Sequence, residues 1–144
     1  MVFSARTAMT DFIETPRLRL RRLEAADLDA MFAYRTDPEV ARYQTFRART
    51  RDEIGAMIRA QAALQPGAPG SEFQFAVGLK ADDLLIGDVY FGVEATGRQA
   101  EIGYTLAAEF QGCGYATEAV RGVLGFAFER IGLHRVTAGA DPRN

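Results

Sequence analysis

The chain has one cysteine, Cys113, and one histidine, His134, in 144 residues. A single cysteine rules out an internal disulfide and any cysteine-built metal site. Excess positive charge is also missing. Lys and Arg number 17 against 19 Asp and Glu, for a net charge of −2, so there is no field for gripping nucleic acid. No apolar run approaches the roughly twenty residues of a membrane span. Residues 1–11 lack the apolar core of a signal peptide, and a cytosolic location is the default expectation. There is no internal repeat, no low-complexity segment and no G-x-x-x-x-G-K-[ST] string, which removes a P-loop nucleotidase. What remains is ordinary in balance, 48% hydrophobic and 25% charged, in a length that suits one domain with a real core.

Residues 1–11 show no sustained period and are expected to form a tail. Arg17-Leu18-Arg19-Leu20-Arg21 alternates and predicts a strand with one basic, solvated face. Ala25–Tyr34 predicts a short helix, and Asp37-Pro38 starts another, with the aspartate at the N-cap. From Thr50 to Leu64 a longer helix is expected. Thr50 and Glu53 make its capping box, and Ile54, Met57, Ile58 and Ala62 make its buried stripe. Gln65–Ser71 cannot continue it and reads as an exposed loop. Phe73–Leu79 and Leu84–Val93 are two strands joined as a hairpin through Ala81-Asp82-Asp83. A further turn, Val93–Arg98, leads to a strand from Glu101, where Ile102, Tyr104 and Leu106 alternate.

Gln111-Gly112-Cys113-Gly114-Tyr115-Ala116 follows that strand, and its two glycines let the backbone approach a ligand closely. From Ala116 the apolar residues fall at 116, 120, 123, 124, 127, 128 and 131, one face of a helix. A glycine-rich loop feeding a helix presents unpaired N–H groups and the positive end of the helix dipole, which makes an anion site suited to a pyrophosphate. Leu133–Ala140 then predicts a last strand, parallel to the Glu101 strand because a helix crosses between them. Gly112-Cys113-Gly114 also begins a dinucleotide pattern, G-x-G-x-x-G, which would suit an oxidoreductase. Thr117 occupies its third glycine position, however, and the loop follows an antiparallel meander.

Several stretches together resemble the GNAT superfamily of acyl-CoA-dependent N-acyltransferases, in its ribosomal-protein-alanine N-acetyltransferase branch. They are Phe12–Arg21 with Ala26-Asp27-Leu28, Asp37-Pro38-Glu39-Val40, Ile86-Gly87, Glu101-Ile102-Gly103-Tyr104, Gln111–Ala119, and His134-Arg135-Val136 with Asn144. The resemblance implies an α/β (α+β) fold with a mixed, mostly antiparallel sheet flanked by helices. It implies a V-shaped splay between the Glu101 strand and the parallel strand after the helix, the fourth and fifth strands of the reading. The domain would run from 12 to 144, with the C-terminal strands of the fold missing.

The resemblance further implies acetyl-CoA as co-substrate, no metal, and direct attack by a primary amine in a ternary complex. Gln111 and the amides of Gly112, Cys113, Gly114, Tyr115, Ala116 and Thr117 would hold the pyrophosphate. Strand amides of Leu106, Ala107 and Ala108 would meet the pantetheine arm, as would Asn144. A backbone N–H at Thr105 or Leu106 would face the thioester carbonyl. Glu101 is either the general base, through a water, or a structural carboxylate that orients the loop. The general acid would follow Asn144. Cys113 occupies a variable slot of the loop and is a bystander rather than a nucleophile, and His134 is a structural or surface residue. Tyr43, Phe46, Phe75, Tyr90 and Phe91 could line an acceptor pocket, although most belong to the core. The expected acceptor is the α-amino group of a protein N-terminus. A small amine (amino acid, polyamine or aminoglycoside) and a non-catalytic acyl-CoA-binding module are the alternatives. A homodimer is a further expectation; nucleic acid and membrane partners are not expected, given the net charge and the short apolar runs.

Overall fold

Apolar residues two apart build the sheet. A computed structural model describes residues 11–41 and 50–138. Six strands lie side by side in chain order: β1 (Asp11–Glu14), β2 (Leu18–Arg22), β3 (Glu72–Leu79), β4 (Leu85–Val93), β5 (Gln99–Leu106) and β6 (Arg135–Ala138). Neighbours are antiparallel except β5 and β6, which are parallel. The helices are α1 (Leu28–Arg35), α2 (Pro38–Ala41), α3 (Arg51–Gln61) and α4 (Tyr115–Gly125), and α4 runs on as a π-helical turn over Phe126–Ile131. β1 begins inside the stretch expected to be a tail. Its four residues are too few to carry a period-two signal.

One face of the sheet carries Leu18, Leu20, Phe73, Phe75, Val77, Val89, Phe91 and Ile102 and packs against Ala119, Val123, Phe126 and Ala127. The other carries Ala76 and Leu85 and packs against Met31 and Tyr34 of α1 and Ile54 and Ile58 of α3. Strand alternation is what sends neighbouring residues to these two layers. The phenylalanines meet edge to face: Phe75 lies 4.9 Å from Phe73, 6.0 Å from Phe12 and 5.7 Å from Phe126, an arrangement favoured by the ring quadrupole.

Three local expectations shift. The wider π turn changes the helical period, so Phe128, expected inward, is 45% exposed while Phe126 is 6%. On α3 the Thr50–Glu53 capping box forms in both directions, but Ala62 is exposed and Gln61 is buried instead. Gln61 is satisfied there, accepting from Gln74 N at 2.9 Å and donating to Glu72 O at 3.3 Å. The arginines of β2 are not a plain solvated face. Arg21 is 6% exposed and forks onto Asp27 at 2.8 and 3.0 Å, with Asp83 at 3.2 Å. Burial of a cation demands such pairing.

β4 carries a bulge: Gly87 stands opposite Val77 and Leu85 opposite Gly78, leaving Ile86 between them. Leu85 and Ile86 therefore reach opposite apolar layers. Gly87 is also the closest approach of β4 to β5, since a Cβ there would lie 2.2 Å from the Thr105 carbonyl oxygen. β5 and β6 pair from Gln99–Arg135 to Ile102–Ala138. Residues 139–144, which would face the rest of β5 across the expected splay, lie outside the described residues, as do residues 1–10.

Phe75 has no exposure and sits among four rings. Phe75→Ala should cost about 3–5 kcal/mol by urea unfolding; a loss below about 1 kcal/mol would contradict this account of the core.

Candidate cofactor loop and active face

β5 ends at Leu106, and its last carbonyl accepts Gln111 Nε2 at 3.1 Å. That bond closes a short turn over Ala108–Phe110 and aims the chain into the loop. Gly112 and Gly114 both take positive φ, 80° and 83°, a conformation that glycine adopts without Cβ strain. No atom lies within 4 Å of a Cβ built on Gly112. Gly114 is the N-cap of α4 and accepts Glu118 N at 3.1 Å. The N–H groups from Gly112 to Thr117 have no acceptor among the described residues. Gln111–Gly114 and Thr117 are exposed, and Tyr115 and Ala116 are half-buried. Unspent donors on an exposed loop at a helix start are what a diphosphate requires, so the residues fit the phosphate end of an acyl-CoA.

The loop is fastened from the far end of the chain. Glu118 accepts the Thr15 hydroxyl at 2.5 Å, Arg17 N at 2.8 Å and Arg17 Nε at 2.7 Å. Arg17 Nη1 donates to Cys113 O at 3.1 Å, and the guanidinium lies 4.2 Å from the centre of the Tyr115 ring. Burial alone would raise the Glu118 carboxyl. The Thr15 hydroxyl and Arg17 outweigh it and hold the group below its ordinary value. Gly122, one turn on, is needed for the same docking, since a Cβ there would lie 3.1 Å from Ile13 and Thr15 side chains. Gly125, equally unusual in a helix, meets no such neighbour.

Leu106 and Ala107 are buried and Ala108 half-buried at the end of β5. Ala107 N–H is spent on Ile86 O at 2.8 Å. The Thr105 carbonyl also faces β4, beside Gly87. A strand residue turns its N–H and C=O to the same side, so Leu106, not Thr105, directs its N–H toward the β6 side.

On the face of β5 away from α4, period two aligns Glu101, Gly103 and Thr105. Glu101 is exposed. Glu72, Gly92 and Glu101 are register partners across three strands, so two carboxylates flank a glycine. The Tyr90 hydroxyl covers that glycine, because a Cβ on Gly92 would lie 2.2 Å from it. Burial first, then the nearby Glu72 and Glu101 carboxylates, push Tyr90 above its ordinary value. Further along the same face Asp88, 2% exposed, is opposite Thr105. It accepts the Tyr34 hydroxyl, Arg35 Nη2 at 2.8 Å and Gln74 Nε2 at 2.7 Å. Burial drives Tyr34 well above its ordinary value, which keeps it a neutral donor to Asp88.

Sequence reasoning missed Arg17, Glu118 and the Asp88 cluster. An aspartate inside the apolar run Leu85–Val93 was the available signal for the last. Phe75 and Phe91 are core, with no exposure; Tyr90 is half-buried on the open face. Tyr43, Phe46 and Asn144 lie outside the described residues. Cys113 is an exposed free thiol, and His134 is exposed. Among the described residues no cluster of three His, Cys, Asp or Glu could hold a metal, and no helix is long and apolar enough to cross a membrane.

The meander ends in a loop with free amides, a crossover helix and a parallel strand. The family model described as "Acetyltransferase (GNAT) domain" matches residues 17–144. An uncharacterised N-acetyltransferase of Bacillus licheniformis, p20, is 33% identical over 131 residues, spanning 90% of this chain and 73% of that protein. The structure of a GNAT-family acetyltransferase from Bacillus anthracis superposes with a TM-score of 0.81 at 26% identity, over 92% of this chain and 75% of that one. A candidate ribosomal-protein-serine acetyltransferase from Vibrio cholerae gives 0.75 at 26%, over 94% and 78%. The chain belongs to the GNAT acetyltransferase family and is an N-acetyltransferase.

Since the folded protein favours ionised Glu118, the loop tie stabilises above the ordinary carboxylate value of 4.5 and is lost as pH falls below it. Wild type should therefore melt above Glu118→Gln at neutral pH, the gap closing as pH falls through the lowered Glu118 value. A gap that persists in acid, measured by circular dichroism, would contradict this reading of the tie.

Proposed function

We propose that this enzyme moves acetyl from acetyl-CoA to the α-amino group of a protein N-terminus, in the cytoplasm, within one ternary complex. The observation that carries the donor half is the run of unspent N–H groups from Gly112 to Thr117 at the start of α4. Acetyl-CoA, when bound, supplies the acetyl group as a thioester and a diphosphate for the loop. The loop amides hold that diphosphate, with Gln111 setting their approach. Leu106 N–H, on the β6 side of β5, is the donor for the thioester carbonyl, where negative charge develops. Ala108, in the turn that follows β5, comes next along the chain toward the pantetheine arm.

The acceptor half rests on the opposite side of β5. Glu101 takes the proton from the attacking amine through a water, within a face to which Glu72 adds a second carboxylate. Holding the two reactants together, rather than a covalent enzyme step, supplies most of the rate. Likeness to the Vibrio cholerae candidate ribosomal-protein-serine acetyltransferase supports a protein acceptor. A small polycationic amine is the second reading, favoured by the two carboxylates that flank Gly92. A thiol-release screen against N-terminal peptides and small amines decides between them. No turnover with any amine, in a protein that binds CoA, would leave only the binding-module alternative.

Gly114→Asp puts a Cβ at φ 83° and a carboxylate beside the phosphates, and should abolish CoA binding in calorimetry; retained affinity would count against the loop. Glu101→Gln should lower turnover most at low pH, where the amine holds its proton hardest. An unchanged pH–rate profile would remove Glu101 from the base role.

A further inference from the structure

A carboxylate stands where the proposed diphosphate would least tolerate one. Glu118 is in the first turn of α4, beside the loop whose amides are meant for an anion. Negative charge there suits the helix dipole when nothing is bound, but it would repel a diphosphate. The chain meets the conflict by spending the carboxylate fully. Oε1 goes to Arg17 Nε, and Oε2 goes to Arg17 N and the Thr15 hydroxyl.

The same bonds deliver a cation to the loop. Arg17 is fixed at four points: its backbone N and its Nε on Glu118, Nη1 on the Cys113 carbonyl, and its plane against Tyr115. Nη2 has no partner among the described residues, and it lies 3.4 Å from the Cβ position of Gly114. The side chain keeps 45% of its exposure, so that nitrogen is reachable from solvent. Arginine recognises phosphate oxygen through such a preset planar donor, and little freedom is left to lose on binding.

We propose that Arg17 is a direct ligand of the CoA diphosphate, with Nη2 completing the ring of backbone donors. The assignment rests on the loop's holding that diphosphate. It brings a residue from the β1–β2 turn, outside the glycine loop, into the cofactor site. It also gives the loop its one fixed full positive charge among the described residues, where backbone amides offer only partial charge.

The test is a nuclear magnetic resonance titration of the wild-type protein with CoA, and in parallel with pantetheine, which lacks the phosphates. Two sets of signals are followed: the amides of Gly112–Ala116 and the Arg17 Nε–H, assigned by its disappearance in Arg17→Lys. CoA should shift both sets, and pantetheine should leave the Arg17 signal in place. Loop amides that respond while Arg17 does not would overturn this inference and leave the loop reading standing. If neither set responds, the loop reading fails and the inference falls with it. In the mutational arm, Arg17→Gln should weaken CoA on the order of tenfold and leave pantetheine unchanged. Equal weakening of both ligands would mean that Arg17 merely braces the fold. Should that variant not fold, the wild-type titration alone decides.

Discussion

Backbone N–H groups that find no acceptor among the described residues are the constraint from which this site follows. A helix start always has such donors, and most proteins cap them with a serine, threonine or aspartate. α3 does so with Thr50 and Glu53. α4 does not: its cap position is Gly114, with no side chain to offer. The sheet and the loop serve to keep those donors open. Gln111 takes the Leu106 carbonyl so that the loop turns away from β5, and two positive-φ glycines carry the turn without side chains.

The two faces of the sheet divide the work. The α4 face is almost wholly apolar, with aromatic rings meeting from three strands and the helix. The α1 face mixes apolar contacts with a hydrogen-bonded polar cluster at Asp88 and an acidic row at Glu72 and Glu101. A buried aspartate without partners would be costly. Here a tyrosine, an arginine and a glutamine share it, which fixes the end of α1 against the bulged strand.

Local pattern made much of this legible in the sequence. Two glycines before an amphipathic stretch gave the loop and α4, and alternation gave β2, β3, β4, β5 and the parallel β6. What stayed hidden depends on distance or on geometry finer than a period. The bonds from Thr15 and Arg17 to Glu118 span more than a hundred residues, and nothing in either neighbourhood names the other. The arginine row Arg17–Arg21 looked like solvent-facing charge because its partners, Asp27, Asp83 and Glu118, come from three separate parts of the chain. The π turn at Phe126 alters the count of residues per turn and so cannot be read by a method that assumes 3.6. Which side of β5 each amide faces was open until the Gly87 approach placed Thr105 against β4.

The strand order lets the β1–β2, β3–β4 and β4–β5 ladders form as short-range hairpins, while β2 and β3 close across the helices between them. The bond between Thr15 and Glu118 is different, because it closes a span of 103 residues. Entropy makes such a long closure a late event, reached only after shorter ones have shrunk the search. The loop at the start of α4 therefore sets after the hairpins.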